Sequence, residues 1–169
     1  MRQFKLRQIP VKTVRVSADL HPFEKMSFRA FRRDRLVRET WRTSSFRKET
    51  ERMFLVVLRA AGRDAPIPRY TVAGAFFWTP TRAELAGMKG EWEMYRSLIK
   101  RRGANKLPAE SETRYIHVRP HGRGKDDVDP TPGITPVTRK SFWLNRAFLK
   151  RIVQRAVPLT ASDQLSNRA

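Results

Sequence analysis

Residues 80–103 read PTRAELAGMKGEWEMYRSLIKRRG, and the folding of this stretch fixes what its neighbours can be. Thr81 followed three residues later by Glu84 is a capping-box pattern, with Pro80 just ahead of it. Leu85, Met88, Trp92, Tyr95 and Leu98/Ile99 then recur at spacings of three and four, which puts them on one face of a helix. Lys100, Arg101 and Arg102 fall in the last turn, where cations suit the carbonyl end of the dipole, and Gly103 ends the run. On this register Trp92 and Tyr95 are core residues rather than an aromatic binding box.

Working outward, the flanking segments are short and apolar, as strands are. Phe4, Leu6, Ile9 and Val11 predict a strand from Phe4 to Val11, with Lys5 and Arg7 on its other face. A loop containing Asp19, His21 and Pro22 separates it from a second strand, Met26 to Phe31. Residues 32–42 are strongly basic, and Ser44 or Ser45 caps a short helix exposing Lys48, Glu49, Glu51 and Arg52. Residues 53–58 form a continuous apolar run, a buried strand, and Ala73 to Trp78 is another. Beyond the long helix, Tyr115 to Val118 predicts a strand, Pro120 to Pro136 a long loop, and Phe142 to Val157 a helix. Strands and helices alternate without a strict βαβ rhythm. The expected fold is therefore a single α/β domain over 1–157, a mixed sheet flanked by helices, with 158–169 a frayed polar tail.

Charge limits the partners. The 169 residues carry 36 Lys and Arg against 16 Asp and Glu, a net charge of +20. The surplus is spread along the chain, so folding must bring positive charges together, and a polyanion would relieve their repulsion. Arg heavily outnumbers Lys, which favours bidentate contacts to phosphate and guanine over a diffuse positive field. A ribosomal or chromatin-like role, or binding to acidic lipid, stays open on charge alone. There is no Cys, hence no disulfide framework and no thiolate metal site. The start, MRQFKLRQIP, is not a signal peptide, and no apolar run approaches the roughly 20 residues of a membrane span, so a soluble cytoplasmic protein is expected.

His21, His117 and His121 lack zinc-site spacing. Asp126, Asp127 and Asp129 ahead of Gly133 fail the calcium-loop pattern, with Pro130 and Pro132 intruding, and read as solvated loop acids. The run Arg119-Pro120-His121-Gly122-Arg123-Gly124-Lys125 is more suggestive. It offers donors on a backbone that glycine lets approach a groove closely. A basic loop touching only phosphates fits the same residues.

Two blocks, residues 115–121 (YIHVRPH) and 138–146 (TRKSFWLNR), resemble the C-terminal part of the MutH family. That family includes the mismatch-repair endonuclease that nicks unmethylated GATC sites and the related type II restriction enzymes. Residues 41–46 (WRTSSF) look like its W-E-T-S segment, and Gly90-Glu91-Trp92-Glu93 and Leu107 to Thr113 like its central helix and following loop. Residues 6–11 (LRQIPV) look like the end of its catalytic strand. The resemblance implies a restriction-endonuclease-like fold and a C-terminal arm that reads bases. By position Arg119, Pro120 and His121 would lie in the reading loop with Arg123 and Lys125. Trp143 would stand near the adenine, flanked by Lys140, Asn145 and Arg146. Arg42, Ser44 and Ser45 would line the other wall of the cleft.

The cutting residues depart from the pattern. Members hold magnesium with an Asp and with the Glu of an E-x-K motif. Alignment on Ile9-Pro10-Val11 puts Lys5-Leu6-Arg7 at that motif, and a shift of two puts Gln3-Phe4-Lys5 there. A cation repels the metal, and Gln is a neutral, weaker oxygen ligand. The first acid in the chain is Asp19, and Arg42 replaces the Glu of W-E-T-S. The resemblance thus implies a catalytically silent DNA-binding domain without the family's N-terminal catalytic lobe, in a restriction, phage-defence or repair setting and associated with a bacterial nucleoid. No cofactor is expected. Magnesium enters only if the chain is an endonuclease completed by another polypeptide, or by Gln3 and Lys5. A non-specific coating protein is the third reading.

Overall fold

The structure, a computed structural model, describes residues 9–103, 106–121, 127–129 and 137–158. Among the described residues, six strands and four helices form one α/β domain. Strand β1 (Val11–Val16) lies parallel to β3 (Met53–Arg59), and β3 pairs antiparallel with β4 (Thr71–Trp78). The second sheet is antiparallel, in the order β2 (Met26–Phe31), β6 (Lys140–Leu144), β5 (Ile116–Pro120). Helices α1 (Arg33–Leu36) and α2 (Ser45–Thr50) lie in the crossover from β1 to β3. The long α3 (Arg82–Arg102) and α4 (Arg146–Ala156) complete the layers.

The core is aromatic. The Phe142 ring meets Phe46 at 4.9 Å, Phe31 at 5.3 Å and Tyr95 at 6.1 Å, so β6, α2, β2 and α3 converge on one side chain. Helix α3 follows its sequence signals. Thr81 caps Glu84 and Glu84 caps Thr81 in return, while Met88, Trp92, Tyr95 and Ile99 are buried at helical spacing. Gly103 turns the chain at φ 72°, a conformation that favours glycine. Gly87 serves a different purpose: a Cβ there would lie 2.2 Å from Cε2 of Tyr115, so only glycine lets α3 approach that side chain so closely. Ser44 caps α2, its hydroxyl accepting from the Arg47 N–H at 3.0 Å.

Three expectations need correction. The first described strand runs from Val11 to Val16 rather than ending at Val11, and residues 1–8 of the expected strand lie outside the described residues. Residues 142–144 are strand, not helix. Phe142 and Leu144 alternate with Trp143, and β6 has partners on both sides, which outweighs helical spacing in so short a stretch. The helix starts four residues later than expected, at Arg146, after Asn145. Asp129, read as a solvated loop acid, is 5% exposed, and its Oδ2 accepts from the Arg33 backbone N–H at 2.9 Å and from Nε at 3.0 Å. No helix among the described residues is long and apolar enough to cross a membrane. The expected frayed tail lies outside the described residues from 159 onward.

Candidate nucleic-acid interface

Strand alternation builds the candidate site. Val118 and Phe142 are cross-strand partners facing the core, so His117 and Trp143, and Arg119 and Ser141, face the other way. On that outward face the Arg119 guanidinium lies 5.9 Å from the Trp143 ring centroid and the His121 ring 5.3 Å from it. Arg119 and His121 are exposed and Trp143 is half-buried. The result is an indole platform with a cation and an imidazole against it. Such a group stacks on planar rings and donates hydrogen bonds to phosphate or base edges. The His121 N–H donates to the Arg139 carbonyl at 2.8 Å, which continues the β5–β6 ladder past Pro120 and fixes where the His121 side chain leaves it.

Beneath this face His117 is 1% exposed. Asn145 sets its tautomer. The Asn145 Nδ2 donates to the Thr113 carbonyl at 2.8 Å, which leaves its Oδ1 to accept from His117 Nδ1 at 2.6 Å. Nε2 therefore carries the lone pair, and it has no hydrogen-bond partner among the described residues. Burial pushes the His117 pKa below the usual histidine value, with the Asn145 bond and the Glu110 charge opposing. A cleft of about 470 Å³ runs alongside, lined by His117, Arg119, Lys25, Glu110 and Leu107. Lys25 and Glu110 form an ion pair across it, and Glu110 Oε1 also accepts from the Arg146 backbone N–H at 2.8 Å.

The structure gathers only part of the predicted set. Arg119, His121 and Trp143 come together, with Pro120 exposed between Arg119 and His121. Asn145 is 3% exposed and works inside the fold as the bracket between His117 and Thr113. Ser44 is likewise buried, as a helix cap. Lys140 alternates onto the face opposite Trp143, and burial lowers its pKa. Arg42 and Ser45 are exposed beside the N-terminus of α2, which packs Phe46 against Phe28 at 5.1 Å on the inner side of the second sheet. Arg146 is exposed in the first turn of α4. Arg123, Lys125, Gln3, Lys5 and Arg7 lie outside the described residues. Sequence reasoning gave His117, Lys25 and Glu110 no part in the site. One signal was present: His117 and Arg119 are two apart on a strand and so share a face.

On the alignment that the resemblance implies, Lys5 or Gln3 takes the place of the motif's carboxylate, and no group of three or more His, Asp or Glu among the described residues is arranged to hold a metal ion.

No curated protein matches the chain. The family model described as "DNA mismatch repair enzyme MutH" matches residues 2–91, more than half of it. This span lies upstream of the two blocks after residue 110 that carry most of the resemblance, and it contains residues 6–11 and 41–46. The match covers more than half of the chain, and the chain belongs to the MutH family.

Proposed function

We propose that the chain binds double-stranded DNA and reads a short site through the outward face of β5 and β6, as a catalytically silent member of its family. The observation that carries this is the packing of Arg119 and His121 against Trp143, on a chain of net charge +20. The matching family description names a DNA mismatch repair enzyme, which supports duplex DNA as the polyanion. Silence is supported by Lys5 or, on the shifted alignment, Gln3 at the position of the motif's carboxylate. A site-recognition subunit or regulatory domain in restriction, phage defence or repair is the corresponding role.

Family membership favours one other reading, a magnesium-dependent endonuclease whose carboxylates come from another polypeptide or whose centre uses Gln3 and Lys5. The deciding experiment titrates magnesium over the purified chain with a GATC-rich supercoiled plasmid, beside binding to GATC and scrambled duplexes. Site-dependent binding without nicking at any magnesium level supports the silent reader. Nicking that survives repurification and vanishes in Lys5→Ala makes the chain an enzyme. Affinity equal on all sequences, and lowered evenly by Trp143→Ala, reduces it to a coating protein.

A further inference from the structure

The sheet β1–β3–β4 has a second face that carries exposed apolar side chains. Its inward positions are filled by Val14, Met53, Leu55, Val57 and Trp78, all buried against the helices and the other sheet. A sheet with one wet face ordinarily places polar residues outward. Here the outward rows are Val11–Phe54–Phe77, Thr13–Val56–Ala75 and Arg15–Leu58–Val72. Val11 is 64% exposed, Val72 70% and Phe77 55%. Scattered single apolar residues on a surface need no explanation, but a contiguous apolar sheet face marks a docking site.

Size and charge identify the occupant. The three rows span about 13 Å along the strands and about 10 Å across them, from strand rise and spacing, which accommodates two to three turns of one α-helix. The rim is unevenly charged. At the Val11 end the exposed Arg52 lays its guanidinium 4.7 Å from the Phe77 centroid, and no ion pair among the described residues engages it. At the Val72 end Arg15 is neutralised by Glu24 and bonds the Tyr70 hydroxyl at 2.6 Å. Beyond it Arg69 is exposed. A second copy of the chain would bring another +20 against this rim. We infer that the outward face of β1–β3–β4 docks an amphipathic helix of another polypeptide, with an apolar stripe on Val11, Phe77 and Val72 and carboxylates over Arg52.

The test uses the full chain and two synthetic helical peptides with the same leucine stripe, one flanked by Glu and one by Lys. Fluorescence anisotropy measures their binding with and without saturating duplex DNA, and sedimentation velocity measures self-association. The expected result is a monomeric chain that binds the Glu-flanked peptide and not the Lys-flanked one. Phe77→Thr/Val72→Thr weakens that binding by about tenfold or more, and DNA leaves it unchanged. Both substituted side chains are more than half exposed, so the thermal midpoint should hold; Val11→Thr serves as the second variant. Displacement of the peptide by DNA, equal binding of both peptides, failure of the Glu-flanked peptide to bind, or a dimer dissolved by Phe77→Thr/Val72→Thr overturns the inference. None of these outcomes bears on whether the chain binds DNA, which is read separately.

Discussion

Asp129→Ala tests how the base of the candidate reading loop is held. The carboxylate is 5% exposed and meets the Arg33 backbone N–H and Nε at 2.9 and 3.0 Å, with Arg33 itself 4% exposed. Removing one partner of a buried pair costs about 3–5 kcal/mol, because the other charge stays desolvated. For a chain this size each kcal/mol moves the midpoint by about 2–4 °C, so a fall of about 6–20 °C is expected in a reversible thermal scan, with a matching loss in urea. Arg33→Met/Asp129→Leu should recover the part of the loss due to the stranded charge and stay about 1–3 kcal/mol below the parent, since the Arg33 backbone N–H still loses its acceptor. The damage extends beyond stability. The Asp129 N–H donates to the Val137 carbonyl at 2.9 Å, and Arg139, whose N–H donates to Asp127 at 2.9 Å, accepts from the His121 N–H. Loosening Asp129 therefore loosens the ladder that aims His121 at Trp143, and discrimination between duplexes should fall with stability. An Asp129→Ala protein within about 1 kcal/mol of the parent would refute the reasoning.

Other outcomes follow from the same structure. Arg119→Ala or Trp143→Ala should cut discrimination between a preferred and a scrambled duplex by about 5–150-fold, equivalent to about 1–3 kcal/mol per lost base contact, in competition binding. Arg42→Ala, if that exposed side chain meets phosphate, should reduce the slope of log affinity against log salt by about 0.9 while leaving discrimination intact. Ser44→Ala removes the cap of α2 and should cost about 1 kcal/mol in urea unfolding. The depressed His117 pKa means the unfolded chain takes up a proton that the folded chain refuses. Stability is thus complete above the ordinary value of 6.5 and declines as pH falls below it; His117→Gln should flatten that decline in urea titrations at successive pH values.

Legibility depended on how locally each feature is encoded. Helix α3 could be read in full because cap, stripe and terminating glycine all lie within its own residues. Strands β2 and β3 announced themselves by composition and length. Residues 142–144 did not: three apolar residues suit a helix or a strand equally, and only pairing with Met26–Phe31 and Ile116–Pro120 decides between them. The buried pair of Asp129 with Arg33 joins residues 96 apart and is invisible to any local pattern. At the site, the motif alone grouped Arg119, His121 and Trp143; the alternation that sets them on one face appears only once residues 140–144 pair as a strand. The internal duties of Asn145 and Ser44 were not, because polar residues next to a motif look alike whether they face solvent or brace the backbone.

The division of labour between acids and bases bears most directly on function. In the half of the chain that builds the reading face, acids hold backbone. Glu91 accepts from the N–H groups of Arg114, Tyr115 and Ile116, anchoring the start of β5 to α3. Glu110 caps the first turn of α4, Glu112 accepts from the Ala109 N–H at 2.6 Å, and Glu84 caps α3 and pairs with Arg155 at 2.9 Å. Each of these carboxylates is tied to a cation or to peptide N–H groups, which fixes its orientation. A hydrolytic centre requires the opposite: carboxylates converging on open space with their lone pairs directed at a metal. Freed carboxylates there would also lower the positive potential beside Arg119, His121 and Arg146. The same arrangement that steadies β5, β6 and α4 leaves Arg119 and His121 exposed against one indole. On the proposed reading, that composition suits gripping a duplex.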